Sequence, residues 1–211
     1  MIFAINKPPG MTSHDVVAIV RRKTGVKRVG HGGTLDPFAT GVLVIAVGRE
    51  FTRQLSEYVK REKEYEAEIT LGATSTTDDI DGEIEGKTVE IKPALNDIEK
   101  NLLPFIGAVM QTPPIYSSIK IQGKPAHRRV RKGETVVMKE REIEIKSIEV
   151  LSYEYPILKL KIATGPGVYI RAIARDLGEK LGTGGYLSAL KRTRVATFDI
   201  NSALELDEFK S

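Results

Sequence analysis

The sequence predicts an α+β fold, a mixed, mostly antiparallel central sheet flanked by helices and crossed by a cleft. Three observations lead there. Period-two segments, such as residues 60–71, alternate with segments of helical spacing, such as residues 168–181. Two of the strand-like segments, 135–150 and 157–164, follow one another across a short turn near Glu154 and Pro156. The 211 residues are 41% hydrophobic and 28% charged, enough for a buried core in one large domain or two small ones.

The elements follow in order. Residues 1–5 are an apolar strand, after which Lys7-Pro8-Pro9-Gly10 forces a tight loop. Thr12 stands three residues before Asp15, close to a capping box, and Val16, Val17, Ile19 and Val20 continue as a helix face. Arg21, Arg22 and Lys23 suit the last turn of that helix, and Gly25 stops it. Residues 30–43, GHGGTLDPFATGVL, gather His31, Thr34, Asp36 and Thr40 among glycines and a proline, next to the apolar run 42–47. Asp-Pro is a turn initiator. A carboxylate on such a turn, beside a buried strand, is also where a catalytic group sits. Residues 49–59 read as a helix facing Leu55, Tyr58 and Val59 inward. In residues 60–71, Tyr65 falls in phase with Ala67, Ile69 and Leu71, so its hydroxyl lies in the core or in a cleft.

Residues 72–82 are rich in turn formers and acids. Asp78, Asp79 and Asp81 lack the spacing and closing glutamate of a calcium loop, so no metal is expected. A helix over 93–103 and a strand over 105–110 follow. The prolines of residues 111–120 keep that segment extended. Lys124, Arg128, Arg129, Arg131 and Lys132 crowd residues 122–132, which read either as a solvated basic loop or as an arm laid against phosphates. After Gly165-Pro166-Gly167, Ile170, Ile173, Ala174, Leu177 and Leu181 mark a helix over 168–181 ended by Gly182. Arg171 and Arg175 lie near its start, where cations oppose the helix dipole, and so invite a functional question. Residues 186–190 read as a short helix, followed by the basic cluster 191–194 and a strand over 195–200.

With no cysteine, disulfides, zinc-thiolate sites and thiol nucleophiles are excluded. His14, His31 and His127 are too far apart to make a metal-spaced set. No apolar run approaches membrane-spanning length and no signal peptide is evident, so a cytoplasmic protein with no membrane contact is expected. A net charge of +4 mildly favours an anionic partner.

Several separated stretches then point one way. GHGGTLDPFATGVL, INKPPGMTSHD, KEYEAEITLGATSTTDDIDG, PPIYSSIKIQGKPAHRRVRKGE, GVYIRAIARDLGEKLG and YLSALKRTRVATF resemble, in order and over nearly the whole chain, the motifs of the bacterial tRNA pseudouridine synthases of the TruB family. The resemblance implies that family's catalytic fold, with a thumb-loop insertion near residues 120–135, in a single domain over 1–211. Family members usually carry a PUA-type RNA-binding domain after it. With Ser211 closing the sequence, none is expected here. The implied reaction is isomerisation of uridine to pseudouridine at position 55 in the T-loop of tRNA, by base flipping, with no cofactor. The implied partner is tRNA, bound by a monomer with no obligatory protein partner. The resemblance puts the catalytic aspartate at Asp36, the active-site tyrosine at Tyr65 and the active-site arginine at Arg171. Substrate contacts fall to His31, Lys7, Asp79, Lys120, Tyr169, Leu190, Arg128 and Arg129.

Burial raises a carboxyl pKa and a neighbouring cation opposes the shift, so an Asp36–Arg171 pair is expected. The cluster 191–194 is expected on the RNA side. Three other readings compete: a non-catalytic tRNA-folding chaperone using the same surface, a synthase working within a guide-RNA complex, and a glycoside hydrolase. The last needs a second facing carboxylate, and none has a setting like that of Asp36.

Overall fold

The computed structural model describes residues 1–121 and 123–207. Gln122, which opens the basic segment, the side chain of His127, and Ser211 lie outside the described residues. Chain order is β1 (Ile2–Lys7), α1 (Ser13–Thr24), β2 (Val29–His31), β3 (Thr40–Val47), α2 (Arg49–Val59), β4 (Lys63–Leu71), β5 (Ala73–Ser75), β6 (Ile84–Gly86), α3 (Leu95–Leu102), β7 (Gly107–Gln111), β8 (Lys120–Ile121), β9 (Lys124–Pro125), α4 (Ala126–Val130), β10 (Arg141–Glu154), β11 (Ile157–Thr164), α5 (Ile170–Lys180), β12 (Gly185–Val195), β13 (Phe198–Asp199) and β14 (Leu204–Glu205). The central sheet runs β14-β1-β3-β12-β4-β11-β10-β7, with β2 beside β3 and β13 beside β12. β1 with β14 and β3 with β12 are parallel. The other neighbours in this sheet pair antiparallel.

The apolar run at residues 42–47 has its reason in this order. Leu43, Ile45 and Val47 pack with Val16, Val17 and Val20 of α1. Val42, Val44 and Ala46 pack with Leu55 of α2 on the opposite face. Covered on both faces, β3 has no polar side to show, unlike half-exposed β4. The largest core lies under β4 and β11, where Ile98 and Leu102 of α3 and Ile170, Ile173, Ala174 and Leu177 of α5 meet Ile69, Leu158, Leu160 and Ile162. The capping box of Thr12 and Asp15 forms as its spacing predicts, and Gly25 adopts the left-handed cap (φ 66°).

Three boundaries depart from the sequence reading. Residues 186–190 are not a helix but part of β12, which continues through the basic cluster. A β-bulge between Leu187 and Ala189 adds a residue against β4, so the buried Leu187 and Leu190 stand three apart and imitate helical spacing. The following strand is shorter than 195–200, because Ala196 turns the chain in the left-handed region (φ 52°) before β13. The long strand expected from residue 135 begins at Arg141, while residues 135–140 are irregular. The basic segment is not featureless: β8 and β9 form a hairpin and α4 follows, with Ala126 fully buried.

Helix α5 docks on β12 through Gly178. A Cβ there would lie 2.2 Å from the Gly184 carbonyl carbon and 2.2 Å from the Gly185 nitrogen. Helix propensity alone favours Gly178→Ala by about 1 kcal/mol. The contact reverses the sign, and the variant is expected to lose about 1–3 kcal/mol in urea unfolding. A stabilised variant would mean that α5 does not approach β12 this closely.

Candidate active site

Asp36 sits on the loop between β2 and β3, and every backbone carbonyl from Gly33 to Pro37 has a donor. Arg192 donates to Gly33 O (3.2 Å), Thr34 O (3.4 Å) and, through Nε, to Val42 O (2.7 Å). The Ser13 hydroxyl donates to Leu35 O (3.2 Å) and accepts from Leu35 N–H (2.9 Å). Ala39 N–H closes on Asp36 O (3.1 Å). Pro37 O accepts from Lys7 Nζ (3.1 Å) and Gly10 N–H (2.9 Å). Lys7 also donates to Pro8 O and Met11 O, so the Pro-Pro-Gly loop is tied to the aspartate loop by one ammonium group. Gly41 sits at φ 101°, where an added Cβ would lie 2.2 Å from Arg192 O. No other residue fits where β3 and β12 come this close.

The Asp36 carboxylate meets Arg171 in a two-pronged contact, Nε to Oδ2 at 3.0 Å and Nη2 to Oδ1 at 3.3 Å. Arg171, 4% exposed, also reaches Asp79 Oδ2 (3.2 Å), Thr77 O (3.0 Å) and Tyr116 O (3.1 Å). This is the pair expected from an arginine at an unfavourable helix end. Burial pushes the Asp36 carboxyl above its ordinary range; Arg171 opposes the shift, and Asp79 and Asp81 add to it. Asp79 is itself buried and holds its loop by accepting from Thr77 Oγ1 and Asp81 N–H.

Tyr65, on β4, is buried and pairs in register with Arg192. Its hydroxyl is hydrogen-bonded to the Arg192 guanidinium, and burial pushes the phenol up despite that cation. Leu190, nearly buried, lines a cleft of about 750 Å³ together with Pro37, Phe38 and Ala67. Asp36 is not itself in that lining but borders it through its neighbour Pro37. His31 lies at the end of β2, edge-on to His14 (5.2 Å between ring centroids), and its buried Nδ1 makes no hydrogen bond. Burial, then His14 and Arg192, lower its pKa, so the ring is neutral at pH 7.

The other expected residues divide. Tyr169 caps α5: the Gln111 carboxamide bonds both its N–H (2.9 Å) and its carbonyl (3.1 Å). Lys120 and Arg128 are exposed on the basic segment, where Arg129 is ion-paired to Glu134. The cluster 191–194 does not form one basic surface. Strand alternation turns Arg192 into the interior and leaves Lys191 exposed, while Arg194 is held by Glu64 at 2.6 Å. The sequence reading also missed a second cleft of about 460 Å³, lined by His14, Arg21, Arg28, His31, Arg49 and Arg53. Its arginines come from α1, from α2 and from the loop before β2. No window of the sequence brings them together, and only the β2–β3 pairing does.

Residues 21–170 match the family model "TruB family pseudouridylate synthase (N terminal domain)" and residues 171–211 match "tRNA pseudouridylate synthase B C-terminal domain". A tRNA pseudouridine synthase B of Trichormus variabilis is 45% identical over 98% of this chain and 71% of its own length. One from Thermobifida fusca is 43% identical, over 98% and 73%. Among solved structures, a Cbf5-Nop10-Gar1 complex contains a chain that is similar with a TM-score of 0.76, 28% identity and 98% of this chain covered. An H/ACA RNP bound to a substrate RNA containing 2′-deoxyuridine gives 0.73 and 26%. This chain spans about half the length of those two, 52% and 51%.

Lys7 and Lys63 provide a test of the packing. Burial lowers each to about 8 from an ordinary 10.5. The unfolded chain therefore binds more protons between about pH 8 and 10.5, and the contribution of these groups to stability rises with pH across that window. With 13C-labelled lysine, two Cε resonances, those of Lys7 and Lys63, are expected to titrate near pH 8. All midpoints falling above pH 10 would contradict the burial described.

Proposed function

The chain belongs to the TruB family of pseudouridylate synthases, and from that membership we propose that it isomerises uridine to pseudouridine in tRNA, at position 55 of the T-loop. The observation that carries the reading is the Asp36 carboxylate held on Arg171 beside a cleft walled by Leu190. In this reaction the C1′–N1 bond breaks, the base turns, and a C1′–C5 bond forms. C5 gives up a proton and N1 gains one. Asp36 serves either by attacking C1′ or by taking the C2′ proton to give a glycal. Both routes need it ionised, and Arg171 supplies the opposing charge that a half-buried carboxylate requires.

The target uridine is stacked in a folded loop and must leave the stack before Asp36 reaches its sugar. His31, neutral and flat at the end of β2, takes the vacated place. Tyr65 stacks on the flipped base and Leu190 closes its other face. The Tyr65 hydroxyl is protonated at neutral pH, so a relay through it passes on its own proton as it takes the one from C5. Lys7 and Asp79 hold the two loops that frame the base. Lys120, Arg128 and Arg129 grip RNA phosphates together with Tyr169 at the start of α5, and Arg28, Arg49 and Arg53 do so beside His31. The protein acts on tRNA as a monomer in the cytoplasm.

Mapping pseudouridine in unmodified tRNA treated with the protein tests the activity. Modification is expected at position 55, and Asp36→Asn is expected to abolish it while tRNA binding persists. Full modification by Asp36→Asn would remove the catalytic reading, and none by the unaltered protein would favour a tRNA-folding chaperone.

Tyr65→Phe separates stacking from proton transfer. The Phe variant is expected to keep its affinity for tRNA and to isomerise about 100-fold more slowly. Full activity in Phe would leave the ring with stacking alone.

A further inference from the structure

Arg175 is the second arginine of α5 and takes no part in the site as described. Its surroundings repeat those of Arg171 one helical turn on. Arg171 reaches Thr77 O and Asp79 in the acidic loop, and Tyr116 O in the extended segment before β8. Arg175 reaches the same two segments: Nη1 to Asp78 Oδ2 at 2.9 Å, between Thr77 and Asp79, and Nη2 to Thr112 O at 2.8 Å, four residues before Tyr116. Its Nε donates to Asp176 Oδ1 (2.8 Å). All three faces of the guanidinium fork are thus in use.

Asp78 is in the left-handed region at φ 62°, which a non-glycine residue occupies at a cost. The bend it makes carries the chain from Thr77, whose carbonyl faces Arg171, to Asp79, whose carboxylate returns to Arg171. Three contacts hold Asp78 there: its side chain on Arg175, its N–H on Ser75 O (3.1 Å), and its carbonyl on Leu187 N–H (3.1 Å). Without the Arg175 contact, the carboxylate loses its ion pair, and the bend is joined to α5 only by the Arg171 contacts of Thr77 and Asp79 on either side of it.

We propose that Arg175 is a positioning residue for the isomerisation: by clamping Asp78 and Thr112 against α5 it fixes Arg171, and through Arg171 the carboxylate of Asp36. The inference rests on the reading of Asp36 as the reacting carboxylate. Arg175 touches neither the reacting loop nor the cleft walls, so its loss acts on the turnover of bound RNA and not on the grip.

The test is steady-state kinetics on unmodified tRNA with Arg175→Gln, Asp78→Asn and the double variant, each with its thermal unfolding curve. Arg175→Gln is expected to lower kcat between about 10- and 100-fold with KM for tRNA within about two-fold. Asp78→Asn should do the same, and the double variant should be no slower than Arg175→Gln alone. Arg175→Lys keeps the charge without the fork and should recover little of the rate. Unchanged kcat, KM rising in step with its fall, or fully additive losses in the double variant would each overturn the proposal. If Arg175→Gln does not fold, Asp78→Asn decides the matter by the same split. Asp36→Asn is assayed in parallel. Should it stay active, the reading of the site fails, whereas an unchanged kcat in Arg175→Gln beside an inactive Asp36→Asn sinks this inference alone.

Discussion

Three cations are buried around one short loop, and a single carboxylate cannot satisfy them. Lys7 and Arg192 are almost wholly enclosed, and Arg171 is 4% exposed. Leaving such a charge without partners costs several kcal/mol, comparable to the whole stability of a domain. Asp36 and Asp79 serve Arg171. For Lys7 and Arg192 the negative ends are backbone carbonyls, and half of these belong to residues 33–37. The loop therefore cannot relax without stranding a buried cation. That is how a glycine-rich turn, soft by its own chemistry, comes to hold a carboxylate at a fixed place.

The same arrangement sets the electrostatics. Arg171 is shared between Asp36 and Asp79, so its charge is not spent on one carboxylate. Asp79 pushes the Asp36 carboxyl up while Arg171 pushes it down, and burial outweighs both. An aspartate tuned in this way is more basic than a free one yet keeps a cation at its oxygens. For a group proposed to attack a sugar carbon or to take a proton from one, that combination is more useful than full neutralisation by a dedicated partner.

How much of this could be read from the sequence depends on the range of the interaction. The helix cap at Thr12 and the double-sided burial of β3 are local and were legible. Arg171 was legible for a different reason: a cation at the start of a helix violates a local preference, and a violated preference points to a distant partner. Arg175 carried the same signal, but its partner Asp78 gave none, because a turn aspartate looks the same whether paired or solvated. The strand β12 was misread because its bulge converts a spacing of two into a spacing of three. Arg192 was misread with it. A helix over 186–190 offers no frame for the alternation that sends Arg192 inward and Lys191 outward. The cationic cleft was illegible in principle, since its residues meet only after β2 and β3 pair.

The placement of the loop gives the last step. Residues 30–40 border both cavities: Gly30 and His31 line the cationic one, and Pro37, Phe38 and Thr40 line the largely apolar one. The loop is thus a wall with a phosphate-friendly side and a base-friendly side, and Asp36 lies between the two. A nucleotide has the same division, with its charge on the backbone, its ring apolar on both faces, and its sugar joining them. In the proposed reading, a strand passing over this wall with its phosphates on the arginines and its base in the cleft puts the sugar at the crest, beside the carboxylate. Were the loop flexible, that alignment would have to be made anew for each nucleotide. The buried cations hold it fixed before any RNA arrives.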